Sequence, residues 1–417
     1  MPRRSCLWLT GSLRPSKRWL LLLHSLVLVP LAAAIEIATG KMLGPGYDPR
    51  CFYVRERGGP WRKTYTGKQY RPEAAGRLMN LRIAQGIFDD EWLTEAPFDP
   101  ERNTERLIEA LDIYKDHGIL AINVSLQAGN AGYGRECELV KRLPHAKLGP
   151  GKGCLTSAFR PDGSLKEAWM RRLLRLQREL DRRGMILNLI YFYQGQDEVL
   201  EGPEAIRRAV VNATDWLIEH NCRNVIIEIA NEHDVNTYDH DGYIHREMGS
   251  LIQLARERFL VKKAPFRLPV SASTDGRMRV YDSERQHADL IIIHGNRRTP
   301  EDKGRRVAEL VADPAMPGPI YMNEDDNGRD TTPENLVREL ASFDAVFRSG
   351  GSWGYMPWRQ VQMFPFRYYR PARSTQVLAE MPVEERDPAY FHAVLEHIRK
   401  TLYTPEAAAK PCKLASE

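Results

Sequence analysis

Metal-ligand spacing is missing from this chain. Its six cysteines form no CxxC pair and no His/Cys ligand pattern, and no HExxH occurs, so zinc modules and zincin-type chemistry find no support. No glycine-rich phosphate fingerprint follows the first strand-like run, which argues against a dinucleotide fold. There is no internal repeat beyond an alternation of short elements. An excess of one charge is absent too, once the N-terminus is set apart. Residues 1–34 hold Arg3, Arg4, Arg14, Lys17 and Arg18 and no acid, and they account for the whole formal charge of +5. The remainder is neutral overall, so the pI of 8.8 implies no nucleic-acid or membrane partner.

A long hydrophobic run is also lacking. Trp19 to Leu31 is short and interrupted by proline, below the ~20 residues of a membrane span. Basic residues, this apolar run and Ala32-Ala33-Ala34 follow one another as in a secretory signal peptide. The expectation is export, to the periplasm or beyond, and no membrane attachment after cleavage. An uncleaved anchor is the alternative, and Arg3-Arg4 hints at twin-arginine export. In an exported chain Cys137 and Cys154 either pair or stay as free thiols. Cys222 precedes an apolar strand and is expected to be buried.

What is present is an alternation of strand-like and helix-like segments. Apolar runs of strand length lie at Leu78–Gly86, Ile119–Leu126, Met185–Tyr193, Val225–Ala230, Leu268–Ala272, Leu290–His294, Ile320–Asn323 and Ser352–Met356. Nearly continuous apolar runs are the mark of parallel strands covered by helices. Helical patterns fill the gaps: Pro100–His117, Leu165–Arg183, Glu204–His220, Gly242–Lys262, a short one near Val280–Gln286, Thr299–Val311, Pro333–Arg348 and Pro388–Leu402. Eight βα units predict an α/β fold, a closed (β/α)8 TIM barrel over residues 76–403. Residues 35–75 form an N-terminal extension with a hairpin-like stretch at Tyr65-Thr66-Gly67-Lys68-Gln69, set against the bottom or side of the barrel. Residues 404–417 are expected to be a flexible tail. Two βα loops are long. The second, from Gln127 to about Ser164, carries seven glycines, and the last runs from Pro357 to about Asp387. Both lie on the face where barrels keep their active sites.

Two strands deliver a carboxyl group at their C-terminal end. Asn224-Val-Ile-Ile-Glu-Ile-Ala-Asn-Glu232 closes strand four, and Pro319-Ile-Tyr-Met-Asn-Glu324 closes strand seven. Two carboxyls across a barrel mouth suit glycoside cleavage, one as acid and one as nucleophile or base. A gap of about 5–5.5 Å predicts retention, and one nearer ~8 Å inversion. Period-two alternation puts Glu228 below Glu232, inside the barrel, where a buried carboxylate needs a partner. Arg82 on strand one is the candidate.

The string Ile227-Glu-Ile-Ala-Asn-Glu232 resembles the strand-four signature of clan A glycoside hydrolases, above all the cellulase-like family 5, in an outlying branch of bacterial exported proteins. The resemblance covers about residues 76–403, with its tight motifs on strands four and seven. It implies that Glu232 is the acid/base, that Asn231 holds a sugar hydroxyl, and that Glu324 is the retaining nucleophile; Arg82, Glu228 and Asn323 are expected to support them from their places on the strands. His294 matches the family's strand-six histidine, and Asn296 follows it. The strand-eight tryptophan is matched by Trp353 or Trp358. Departures from the pattern are His233 in place of a proline, Gly295-Asn296 on strand six, and Tyr191, Tyr193, Gln194 and Gln196 where strand three normally ends in histidine. No cofactor is implied. The partner is an oligo- or polysaccharide.

The last loop adds Trp358, Phe364, Phe366, Tyr368 and Tyr369, a possible sugar platform. It also holds Arg359, Arg367, Arg370 and Arg373, which would suit an anionic glycan unless paired with Glu380, Glu384 and Glu385. His233, Asp234, His240 and Asp241 follow Glu232, and a metal-dependent hydrolase using them is one rival reading. Lining the cleft and capping the next helix is the simpler role. A non-catalytic sugar-binding barrel is the other rival. Asp325 and Asp326 stand ready to tune Glu324 or bind hydroxyls. Asn123-Val-Ser and Asn212-Ala-Thr fit the glycosylation pattern, the first by accident within a strand.

Overall fold

The computed structural model describes residues 34–89, 98–127, 156–325, 330–362, 366–367, 369–374 and 376–410. Eight strand positions form one parallel ladder: Asn80–Arg82, Ala121–Ser125, Ile186–Phe192, Val225–Ala230, the pair Val270–Ser271 and Ser273–Thr274, Ile291–His294, Ile320–Asp325 and Ser352–Tyr355. The eighth strand pairs with the first through Gly354–Asn80 and Tyr355–Leu81. The fifth strand breaks at Ala272, so its first half pairs with strand four and its second half with strand six. The sheet therefore closes, and the fold is a (β/α)8 barrel.

The helices begin and end where local chemistry dictates. Asp99 caps Pro100–Asp116 by accepting from the Arg102 N–H at 3.0 Å, and the chain leaves that helix through Gly118 at φ +88°. Thr299 and Thr332 cap Pro300–Ala312 and Pro333–Arg348 in the same way. Three helices depart from expectation. The segment 242–262 is broken into Tyr243–Arg246 and Met248–Val261. The short helix is Asp282–His287. The last begins at Val383, ahead of Pro388, which sits inside it. Among the described residues, no helix is long and apolar enough to cross a membrane.

The barrel interior has two levels. At the bottom, Ala121, Ile186, Ile226, Ile292 and Tyr321 pack with Ile35, Ile37 and Phe52. The last three belong to an antiparallel sheet, Ile35–Thr39, Phe52–Glu56 and Arg62–Lys63, which plugs the barrel's N-terminal end. Glu36 anchors this sheet to the barrel by pairing with both Arg55 and Arg223. The strands of the extension are thus earlier in the chain than expected. Residues 65–69 form a turn, with Tyr65 at φ +50° and its hydroxyl donating to the Gly118 carbonyl at 2.6 Å. Above the apolar level the interior turns polar, with Asn80, Arg82, Asn123, Asn188, Glu228 and Asn323 all buried.

The first residues of the expected tail, 404–410, are held against the extension. Thr404 caps a helical turn, Pro405–Ala408, and its N–H donates to the Gln69 carbonyl at 2.9 Å. Residues 411–417, Cys137 and Cys154 lie outside the described residues, as does the leader, residues 1–33. Cys51 and Cys222 are free and buried.

Candidate active site

A cleft of about 530 Å³ opens at the C-terminal ends of the strands. Tyr193, Gln194, Glu232, Asn296, Glu324 and Trp358 line it. Side-chain alternation alone would not put all of these into one mouth. Two backbone irregularities do. On strand seven the register slips between Ile293 and His294, so that Met322 faces Ile293 and Glu324 faces His294. This bulge at Asn323 lets consecutive residues point inward. Asn323 Nδ2 donates to Glu228 at 2.7 Å, while Glu324 reaches Arg82. On strand four, Glu232 adopts φ +45°, a left-handed conformation that costs about 1–2 kcal/mol in a residue with a Cβ. Its N–H is held by Ser273 Oγ at 2.9 Å. Glu232 then faces the cleft while Asn231 stays buried, and Gln194 bridges them, accepting from Asn231 Nδ2 at 2.6 Å and donating to Glu232 Oε2 at 2.9 Å.

The two carboxyl groups share a polar clamp. Asn296 Nδ2 donates to Glu324 Oε1 at 2.7 Å and approaches Glu232 Oε1 at 3.4 Å. His294 Nδ1 lies 2.9 Å from Glu232 Oε1 and 3.5 Å from Glu324 Oε2. One oxygen of each carboxyl and a ring nitrogen of His294 fall within 4.8 Å of one another.

The electrostatic settings of this cluster are clear. Burial alone would raise the Glu324 carboxyl. The Arg82 guanidinium, then His294 and the Asn296 hydrogen bond, more than offset this and hold it below the ordinary carboxylate value. Burial would lower His294, but the Glu324 charge and the Glu232 hydrogen bond hold it above the ordinary histidine value. Burial and the Glu324 charge push the Tyr193 hydroxyl up, so it stays a neutral donor. Arg82 lies 5.8 Å from the centre of the Tyr193 ring and also donates to Asn231 Oδ1.

Several expected roles change. Arg82 pairs with Glu324. Glu228 is held instead by two amides, Asn188 Nδ2 and Asn323 Nδ2, each at 2.7 Å. The strand-seven bulge is the reason, since it swings Glu324 over strand one. Trp353 does not face the cleft. It is fully buried, and its indole donates to Asp325 Oδ2 at 2.8 Å. Of the two, Trp358 lines the cleft. Asp325 points outward to a buried ion pair with Lys303 at 2.7 Å, so it binds no sugar. Asp326 lies outside the described residues.

Among the described aromatics of the last loop, Trp358 is the one that lines the cleft. Phe366 and Tyr369 are buried, with Tyr369 donating to Asn103 at 2.8 Å, and Phe364 and Tyr368 lie outside the described residues. Arg359 pairs with Asp387 at 3.2 Å and Arg370 approaches Glu109 at 3.8 Å, not the acids first expected. The four His/Asp residues after Glu232 do not converge. His233 is buried against Glu284 at 3.0 Å, Asp234 accepts from the Asp275 N–H, and His240 meets the Asp197 carbonyl.

Other residues of the site were not anticipated: Asn188, Ser273, and the segment Asp275-Gly276-Arg277 with Arg297 and Arg298 on the cleft wall. Asn188 lies inside strand three, and the others carried no signal beyond their position near or past a strand end.

No family profile matches the chain. No curated protein matches it either. Among solved structures, it is similar to a putative glycoside hydrolase from Bacteroides vulgatus ATCC 8482, with 13% identity and a TM-score of 0.47 over 78% of this chain and 55% of that one. It is also similar to an exo-β-1,4-mannosidase from Opitutaceae bacterium strain TAV5, with 13% identity and a TM-score of 0.45 over 83% and 63%. A family 5 xyloglucanase from Paenibacillus pabuli matches with 11% identity and a TM-score of 0.46 over 77% and 98%. The matched region thus spans 55% and 63% of the first two proteins.

Proposed function

We propose that this chain is a retaining glycoside hydrolase acting on β-linked glycans. The observation that carries the reading is the pair Glu232 and Glu324, with oxygens within 4.8 Å of each other and of His294. That closeness is nearer to the about 5–5.5 Å between the carboxyls of retaining enzymes than to the about 6.5–9.5 Å of inverting ones.

The roles follow from the surroundings. Glu324 is paired with Arg82 and held ionised, which suits a nucleophile. One of its oxygens attacks the anomeric carbon as the glycosidic C–O bond breaks. Glu232 gives its proton to the leaving oxygen. In the second half, Glu232 takes a proton from water, the water oxygen attacks the same carbon, and Glu324 leaves as a carboxylate. His294 and Asn296 touch both carboxyls and keep their relative positions through the cycle. Asn231 donates to Gln194, which lines the cleft beside Glu232 and offers its amide to a sugar hydroxyl. Trp358 supplies an apolar face for a pyranose ring.

A metal-dependent reading is less well supported. The same trio of Glu232, His294 and Glu324 has ligand-like spacing, but Arg82 already compensates Glu324 from inside the barrel. A binding-only barrel has no use for a buried Arg–Glu pair beneath a second carboxyl.

The test is product release from a panel of β-linked oligo- and polysaccharides by the wild-type chain, Glu232→Gln and Glu324→Gln. Release that disappears in both variants supports the pair. Release that survives Glu324→Gln sinks the nucleophile assignment. Retained activity in chelator counts against a metal.

A further inference from the structure

One wall of the cleft is cationic in a way the hydrolytic chemistry does not require. The loops after strands five and six contribute Arg277, Arg297 and Arg298 to the lining. Arg277 is committed to neighbouring acids, with Nε 2.7 Å from Asp275 and Nη2 3.6 Å from Asp234. The other two are not. Arg298 Nε donates to the Gly276 carbonyl at 2.6 Å, which fixes its plane and leaves its terminal nitrogens. Arg297 is exposed and has no partner among the described residues. Neither has a carboxylate partner among those residues.

This wall is built rigidly. Arg297 holds φ +62°, in the left-handed region, inside a turn closed by the Arg298 N–H on the Gly295 carbonyl at 3.2 Å. Gly295 in turn donates to the Glu324 carbonyl at 2.9 Å. The two loops touch so closely that a Cβ on Gly276 would lie 2.5 Å from the Asn296 oxygen. Asn296 is the residue that clamps both carboxyls. The arginines are thereby indexed to the reacting centre through one turn of backbone. Guanidinium forks of this kind suit carboxylates and sulfates. The last loop, by contrast, has Arg359 and Arg370 set against acids of the chain.

We propose that Arg297 and Arg298 bind an anionic group, a sugar carboxylate or a sulfate ester, on the glycan. The inference rests on the glycan-hydrolase reading and narrows its substrate class. Binding and cleavage therefore have to be read separately.

The experiment is native gel retardation of the full chain by four dissolved polymers, with product release measured on the same four. They are a polyuronate, its carboxyl-reduced form, a sulfated polysaccharide and its desulfated form. The two charged polymers separate the two sources of anion. The proteins compared are the wild type, Arg297→Gln/Arg298→Gln, Arg297→Lys/Arg298→Lys and Lys68→Gln, the last an exposed cation on the extension. At least one charged polymer is expected to retard the wild type more than its neutral form. The glutamine pair is expected to weaken that binding by roughly tenfold, while the lysine pair keeps much of it and Lys68→Gln changes nothing. Equal retardation by neutral forms, no effect of the glutamine pair, or an equal effect of Lys68→Gln would each overturn the proposal. Cleavage of neutral polymers without charge preference would remove this inference and leave the hydrolase reading standing. Arginine-dependent binding without cleavage of any polymer would do the reverse.

Discussion

Arg82 and Glu324 form an ion pair across the barrel, between the first strand and the seventh, with both side chains buried. The pair places a fixed positive charge under one of two facing carboxyls and none directly under the other. Under the proposed mechanism, that asymmetry suits Glu324 to the nucleophile's part and Glu232 to the acid's.

Replacing Arg82 with methionine removes the charge that holds Glu324 down. The Glu324 carboxyl then rises, and the acid limb of the pH–rate profile moves to higher pH. Leaving a buried carboxylate unpaired costs about 3–5 kcal/mol, so the melting temperature falls as well. Rate profiles of the wild type and Arg82→Met check the shift. An unmoved acid limb would mean that Glu324 is not the group seen.

The two shifted groups also set a stability window. Glu324 lies below its ordinary 4.5, so its contribution is complete above that value and is lost as pH falls through the folded value. His294 lies above its ordinary 6.5, so its contribution is complete below that value and fades as pH rises through the folded one. Thermal melts across pH are expected to show a maximum between these limits. Glu324→Gln flattens the acid side and His294→Asn the alkaline side.

The acid role proposed for Glu232 is read from leaving groups. Glu232→Gln is expected to slow cleavage of substrates with poor leaving groups by about 10²–10⁴-fold and to spare those whose leaving group needs no proton. Initial rates on a series of aryl glycosides of rising phenol acidity check this. A uniform loss across the series would contradict the assignment.

Asp325 is a structural residue despite standing next to Glu324. Its partners are Lys303 and the Trp353 indole, all fully buried. Lys303→Met alone leaves a buried charge and is expected to cost about 3–5 kcal/mol, while Lys303→Met with Asp325→Leu recovers much of it. Denaturant unfolding of the three proteins measures the difference.

The barrel was legible because parallel strands covered by helices are written as apolar runs. Glu232 and Glu324 were legible because each follows an asparagine at the end of such a run. The partner of Arg82 was not, because a one-residue bulge at Asn323 carries no signature in residue type and reverses the facing that alternation predicts. Composition misled in the last loop, where Phe366 and Tyr369 cover the barrel's side instead of opening to the cleft. Of Trp353 and Trp358, only the alternation within a short strand decides which is buried, and that strand's phase was open. Arg297 and Arg298 were passed over because charge after a strand end is common on any barrel.

The most direct measurement is the anomeric configuration of the first-formed product, followed by proton NMR before mutarotation on whichever glycan is cleaved. The account predicts retention, with the β configuration of the cleaved bond kept and no product from Glu324→Gln. An α product at first appearance would contradict the double displacement and the role given to Glu324.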